Sequence, residues 1–374
     1  MKKMLYVFLL VLVYSCETTK DFVKTDITTE FTKEELHSSF VLQTQKVIKL
    51  ENPSSDALIK DAQRIFCSDS TIFILDRGNN KLLSFDYHGS FLGSTKELIG
   101  RAQNEYVHVH DAAFDNINHL IYLYCDIPCQ MLILDSNLKS IKCIKMKDLF
   151  AEFSLDSQFV YALCPDLTNE SHYELRRYKR DNLDGEYEII KEQKESICRV
   201  RGLGKCINGN GKQVYVSMPF DNTIYEIRDG YIKRGWTFDF GGEWFDYTLN
   251  KDLKGSRFID KNDDKHWTIQ NIIASDSTIL FNTNQSNVFK ASLSASNCVG
   301  YTNLINDSIP FSSSWMIPTN IKNGVAFLIP SANIMDYKNF YVRRHEEIPS
   351  TSISKMIKNT TEKDNPFVII GTIK

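Results

Sequence analysis

The 374-residue chain has no apolar run long enough to cross a bilayer. Its most hydrophobic stretch, Met4 to Val13, is about ten residues, half of what a membrane helix needs. Excess basic charge is also missing. The 44 Lys and Arg stand against 47 Asp and Glu, a formal net charge of −3, which leaves no electrostatic footprint for nucleic acid. Cysteine pairs at zinc-site spacing are lacking: beyond Cys16, only Cys125 and Cys129 lie close together, and no second pair accompanies them. A disulfide between those two stays open. The remaining cysteines sit in strand-like contexts such as Ile65-Phe66-Cys67 and read as small buried hydrophobes. There is no Gly-x-Ser-x-Gly elbow, no His-Glu-x-x-His and no phosphate-binding P-loop. Helical periodicity is confined to two short windows, Lys33–Ser38 and Ser352–Lys358.

Short alternating strands separated by turn residues fill most of the chain, at 12% aromatic content. The clearest unit opens at Ile72-Phe73-Ile74-Leu75 and turns through Asp76-Arg77-Gly78-Asn79-Asn80. It continues at Leu82–Phe85, turns again at Asp86-Tyr87-His88-Gly89, and ends at Phe91–Gly93. The pattern restarts at Asp111-Ala112-Ala113-Phe114-Asp115, then near Glu152, Lys205, Trp267 and Ser314. Units of this kind, about 40 to 60 residues apart, predict an all-β, six-bladed β-propeller. A ring leaves exposed edges unless its ends pair. The strands Phe40–Ile48 and Pro366–Ile373 are therefore expected to share the last blade and close it.

At the N-terminus, Lys2 and Lys3 before the short apolar run read as a secretory signal. Its end, Leu12-Val13-Tyr14-Ser15-Cys16, resembles the lipobox of bacterial lipoproteins. The resemblance implies a signal peptide at 1–15 and lipidation of Cys16. It implies a lipid-anchored protein of the bacterial cell envelope, on the outer membrane and facing periplasm or exterior. Several acyl chains on one cysteine give stable attachment. Residues 16–35 are Thr- and charge-rich and read as a flexible tether, with the propeller over 36–374.

The segment Ile74-Leu75-Asp76-Arg77-Gly78-Asn79-Asn80-Lys81-Leu82-Leu83-Ser84-Phe85-Asp86, followed by Gly89-Ser90-Phe91-Leu92, resembles an NHL repeat. The loop Gly100-Arg101-Ala102-Gln103-Asn104-Glu105-Tyr106 is similar to one found in exported six-bladed propeller lipoproteins. That group's members imply binding or scaffold roles.

Asp76, Asn79 and Asn80 fit turn chemistry, in which short polar side chains satisfy nearby backbone. Arg101, Glu105, Tyr106, His108 and His110 concentrate charge and imidazole in a loop that reaches a propeller face, and are candidate ligand-binding residues. His108 and His110 alternate on a strand and share a face, so a carboxylate converging from another blade would complete a metal site. The aromatic group Trp236, Trp244, Phe245 and Tyr247 suits sugar or peptide stacking or, equally, packing of its own loop; Trp244 is kept as a candidate. The expected function is a binding module for a peptide, glycan or envelope protein on one face, with no cofactor and no metal. The alternative is a lactonase- or lyase-type propeller enzyme, in which calcium or zinc would sit among dispersed ligands at the central channel.

Overall fold

In the computed structural model, residues 22–165, 173–193, 204–246, 264–305, 307, 315–348 and 353–374 are described. The expected signal peptide, the lipidation site Cys16, and Tyr247 lie outside them. The chain starts with β1 (Val23–Phe31), β2 (Leu36–His37), a single turn α1 (Ser38–Val41) and β3 (Leu42–Lys49). A meander β4 to β7 follows at Ala62–Cys67, Thr71–Asp76, Lys81–Asp86 and Phe91–Ser94. The next, β8 to β11, occupies His108–Asp115, Leu120–Ile127, Cys129–Leu134 and Ser140–Lys145. Then β12 to β15 occupy Glu152–Leu155, Phe159–Pro165, Tyr173–Lys179 and Tyr187–Gln193. Strands β16 to β19 are Ile207–Gly209, Val214–Ser217, Thr223–Arg228 and Tyr231–Asp239. Strands β20 to β23 are Ile269–Ala274, Thr278–Thr283, Val288–Ser292 and Asn297–Tyr301. The chain ends with β24 (Leu304–Ile305), β25 (Ile317–Pro318), β26 (Gly324–Ile329), helices α2 (Ser331–Arg343) and α3 (Ser354–Lys358), and β27 (Phe367–Ile373).

The result is an all-β, propeller-like fold. The expectation of six separate blades is met only in part. Four four-stranded antiparallel sheets stand alone, while β16–β19 and β20–β23 are fused into one nine-stranded sheet by β1. Strand β1 lies parallel to both outer strands, with Thr25 opposite Trp236 and Thr29 opposite Cys298. Over Val23–Phe31 this corrects the reading of the 16–35 segment as a tether. Ile27 is the one β1 side chain buried in the core, so the strand has no apolar alternation to read. It is held by two ladders of backbone hydrogen bonds, which leave no trace in side-chain composition. The two chain ends share a sheet as expected, with β3 antiparallel to β27 and Ile48 opposite Val368.

Helix α2 was not foreseen, because Ile334 is its only fully buried side chain and no apolar stripe marks it. The early helical window, Lys33–Ser38, instead holds a bend and β2, with α1 beginning at its last residue. The later window does contain α3.

Turn chemistry explains why the first meander was the most legible. The buried Asp76 carboxylate accepts from the Lys60 and Asp61 amides (3.0 and 2.8 Å) and from Asn79 Nδ2 (2.8 Å). Asn80 takes a left-handed φ of 57°, donates to Val107 O and accepts from Val109 N, both at 2.7 Å, stitching this turn to the next meander. Gly89 is required in its turn: φ is +92°, and a Cβ would fall 2.0 Å from the Lys49 carbonyl oxygen.

Among the described residues, six apolar clusters fill the spaces between successive meanders. Phe73 and Leu75 meet Phe114 and Leu123; Tyr124 and Met131 meet Phe153 and Tyr178; Leu163 and Leu175 meet Ile207 and Val216. Phe238 meets Phe281 and Phe289; Leu280 and Val288 meet Phe327 and Ile369; Val368 and Ile370 meet Ile65 and Ile72. The last of these returns to the first meander. Cys125 and Cys129 belong to different clusters and both are free thiols, so no disulfide joins them.

Candidate functional site

The first strands of successive meanders touch one another in a closed cycle, β4 to β8, β12, β16, β20, β25 and back to β4. Their inward side chains therefore meet around one axis. Arg64 on β4 enters that space, 3% exposed, and holds Asp111 on β8 through two bonds of 3.0 Å each. Its remaining N–H groups donate to Ile207 O (3.0 Å) and Phe153 O (3.3 Å), so the guanidinium ties together four meanders. Lys205 Nζ approaches the same Asp111 at 3.2 Å. Glu152 on β12 accepts from the Cys206 and Ile207 amides at 2.6 and 3.3 Å.

Two cations and two carboxylates thus neutralise one another at the axis. Burial pushes the Asp111 carboxyl up, but the charges of Arg64 and Lys205 outweigh it and hold the group well below the usual range. For Glu152, burial wins over Lys205 and Arg64 and the carboxyl is raised. Farther along, where the first strands end, Asn116 Nδ2 donates to Asn210 O (3.1 Å) and Asn320 O (2.7 Å), and Asn320 binds the Cys67 backbone. Both levels of the axis are bridged by protein groups.

At the end where the first strands begin lie His108 and His110, with Asp126 from β9. His108 Nδ1 is 2.5 Å from Asp126 Oδ1, and His110 Nδ1 is 3.6 Å from Asp126 Oδ2. His110 Nε2 donates to Ala151 O at 3.0 Å. Burial pushes His110 below its ordinary value, favouring the neutral ring.

The other candidates have different surroundings. Arg101 is exposed on its loop. The Glu105 carboxylate accepts from the Ala102 amide at 2.8 Å and closes that turn. Tyr106 is fully buried in the apolar cluster between the first two full meanders, its hydroxyl 2.6 Å from Thr95 Oγ1 and donating to Asn80 O at 3.2 Å. It is a core residue rather than a ligand-facing one. Trp244 stacks on Phe240, ring centroids 4.9 Å apart, and packs its loop against the fold. Sequence reasoning missed Arg64, Asp111, Asp126, Glu152 and Lys205. Arg64 and Asp111 each abut the start of an apolar run within their strand, Ile65-Phe66-Cys67 and Ala112-Ala113-Phe114, and a charge at that place was the available signal.

Two open clefts lie away from the axis. One, of about 880 Å³, runs beside the seam of the first and last meanders and is lined by Asn52, Leu58, Asn79, Leu328, Pro330 and Pro366 among others. Another, of about 720 Å³, includes His37, Phe40, Lys290 and Tyr301.

Comparison with known structures gives the same fold. The crystal structure of a "Putative exported protein" from Bacteroides fragilis NCTC 9343 is similar over 94% of this chain and 100% of that one, at 14% identity and a TM-score of 0.65. More distant similarity extends to the WD40 domain of Neurospora crassa Pan2, with 8% identity, 83% and 75% of the two chains covered, and a TM-score of 0.42. BamB from Moraxella catarrhalis shows 9% identity over 69% and 66%, with a TM-score of 0.39. No curated protein matches the sequence. A family model does match, over residues 22–372, and on that match the chain belongs to the family described as a domain of unknown function, DUF4934.

Proposed function

We propose that the protein is an exported, lipid-anchored binding module built as a six-bladed propeller, whose ligand is a peptide or glycan. The six inter-meander clusters and the closed cycle of first strands support the blade number, with β1 clasping two of the blades into one sheet. Cys16 after a basic, then apolar, leader supports the anchor in the bacterial envelope.

The observation that carries the binding reading is the blocked axis. Asp111 and Glu152, the two carboxylates buried deep at the axis, are engaged by Arg64, Lys205 and two backbone amides. A ligand is left the outer surface, where the seam cleft offers amides and hydroxyls (Asn52, Ser54, Asn79) beside Leu58, Leu328 and prolines. That mixture suits a chain molecule with alternating polar and apolar faces.

The test is a glycan and peptide array with the wild-type protein and Leu58→Arg, which places a charge in the cleft. Binding by the wild type alone supports the reading; equal binding by both sinks the cleft assignment. In parallel, calcium- or zinc-dependent lactone hydrolysis that disappears in Glu152→Gln would establish the enzyme alternative instead. Anchoring is read by fractionation: Cys16→Ala must leave the membrane fraction.

A further inference from the structure

We propose that His108, His110 and Asp126 form a site for one zinc-type divalent cation at the mouth of the axis. The site goes beyond the binding-module reading and stands or falls without it.

The hydrogen on the His110 ring is fixed by its backbone partner. The Ala151 carbonyl can only accept, so His110 Nε2 carries the hydrogen of their 3.0 Å bond. With the ring's single hydrogen on Nε2, Nδ1 is a bare lone pair. That lone pair faces Asp126 Oδ2, also an acceptor, across 3.6 Å. Two acceptors held face to face repel unless a cation lies between them. A ring oriented through its other nitrogen by a backbone carbonyl is the arrangement that metal-ligating histidines adopt.

The ligand atoms are also close enough together for one ion. The three ligand atoms lie within 4.8 Å of one another. In a tetrahedral zinc site with bonds of about 2.1 Å, neighbouring ligand atoms sit about 3.4 Å apart. The His110–Asp126 pair is already near that spacing. The His108–Asp126 pair, at 2.5 Å, must open by about 1 Å and give up its hydrogen bond. Register shifts in β8 between His108 and Val109, and between Val109 and Asp111, set the aim of both imidazoles.

Ligand chemistry chooses the ion. Two imidazole nitrogens and one carboxylate suit zinc and its borderline neighbours, whereas calcium and magnesium prefer oxygen. Side-chain exposures of 38% for His108 and 30% for Asp126 leave an approach from solvent and room for a fourth ligand, such as water.

The experiment titrates zinc alone into the untagged, chelator-treated protein by calorimetry, with a competing chelator to set the scale. One zinc per chain is expected. Asp126→Asn and His110→Ala should each weaken binding by about 100-fold or more. His88→Gln, at an exposed histidine on a distant turn, should leave it unchanged. Circular dichroism checks that each variant is folded; should Asp126→Asn fail, His108→Asn replaces it. Absence of stoichiometric zinc in the wild type, or affinity surviving in both site variants, overturns the proposal, as does calcium binding the same residues as tightly.

Discussion

His266 couples the stability of the fused sheet to pH. Its ring is 4% exposed, lies flat on Phe31 at 5.4 Å, touches Phe240 at 5.6 Å and meets the edge of Phe289 at 5.5 Å. Nδ1 is 2.8 Å from Thr283 Oγ1. Burial, aided by the Lys265 charge, pushes its pKa from 6.5 down to about 4. The folded state therefore prefers the neutral ring. Because the folded pKa is the lower one, this contribution is fully present above 6.5 and is lost as pH falls towards 4. A displacement of that size corresponds to about 3 kcal/mol. The assay is urea unfolding of wild type and His266→Gln at neutral pH and near pH 4. The wild type should lose about 3 kcal/mol more than the variant over that interval, with other acid-sensitive groups cancelling in the difference. Equal losses in the two proteins would refute the buried, neutral imidazole.

Further outcomes follow from the axis and the core. Arg64→Met leaves the buried Asp111 with Lys205 and the Phe153 amide as its partners and breaks the bonds that tie four meanders, so it should cost about 3 kcal/mol in chemical denaturation; a cost below about 1 kcal/mol would mean that water already fills the axis. Tyr106→Phe removes the hydroxyl bonded to Thr95 and Asn80 and should cost about 1 kcal/mol, with array binding unchanged; lost binding would return Tyr106 to the ligand site. Burial pushes the Cys67 and Cys206 thiols up to about 12, so a thiol reagent should label them only after denaturation, and rapid native labelling would contradict their placement.

The parts of the fold that were legible in the sequence are those in which short-range chemistry decides. Asp76, Asn79 and Asn80 announce a turn because their side chains satisfy backbone within or beside it, and the strands around them alternate over an apolar interior. The pairing of β3 with β27 followed from the cost of open edges. Strand β1 was invisible because its partners are other strands' backbones. The axial network was invisible because Arg64, Asp111, Glu152 and Lys205 come from four different meanders, and only closure of the ring brings them together. The candidate residues Arg101 to His110 are neighbours in sequence but differ in exposure, which their spacing does not encode. Tyr106 turns inward to the core while His108 and His110 stay near the surface. Asp126 joins them from the neighbouring strand of the same sheet, not from another blade.

The clasp made by β1 has a consequence in time. Synthesis delivers Val23–Phe31 first, yet Thr25 must find Trp236 and Thr29 must find Cys298, each more than half the chain later. The fused sheet therefore cannot be completed locally as the chain emerges. Its first strand stays unpaired until β19 is made and half-paired until β23 follows, and contacts between such remote segments slow folding. A truncated product ending before β23 would keep one open face of β1, a strand edge ready to pair with another chain. Completion of this protein is a late event, sealed by its earliest residues.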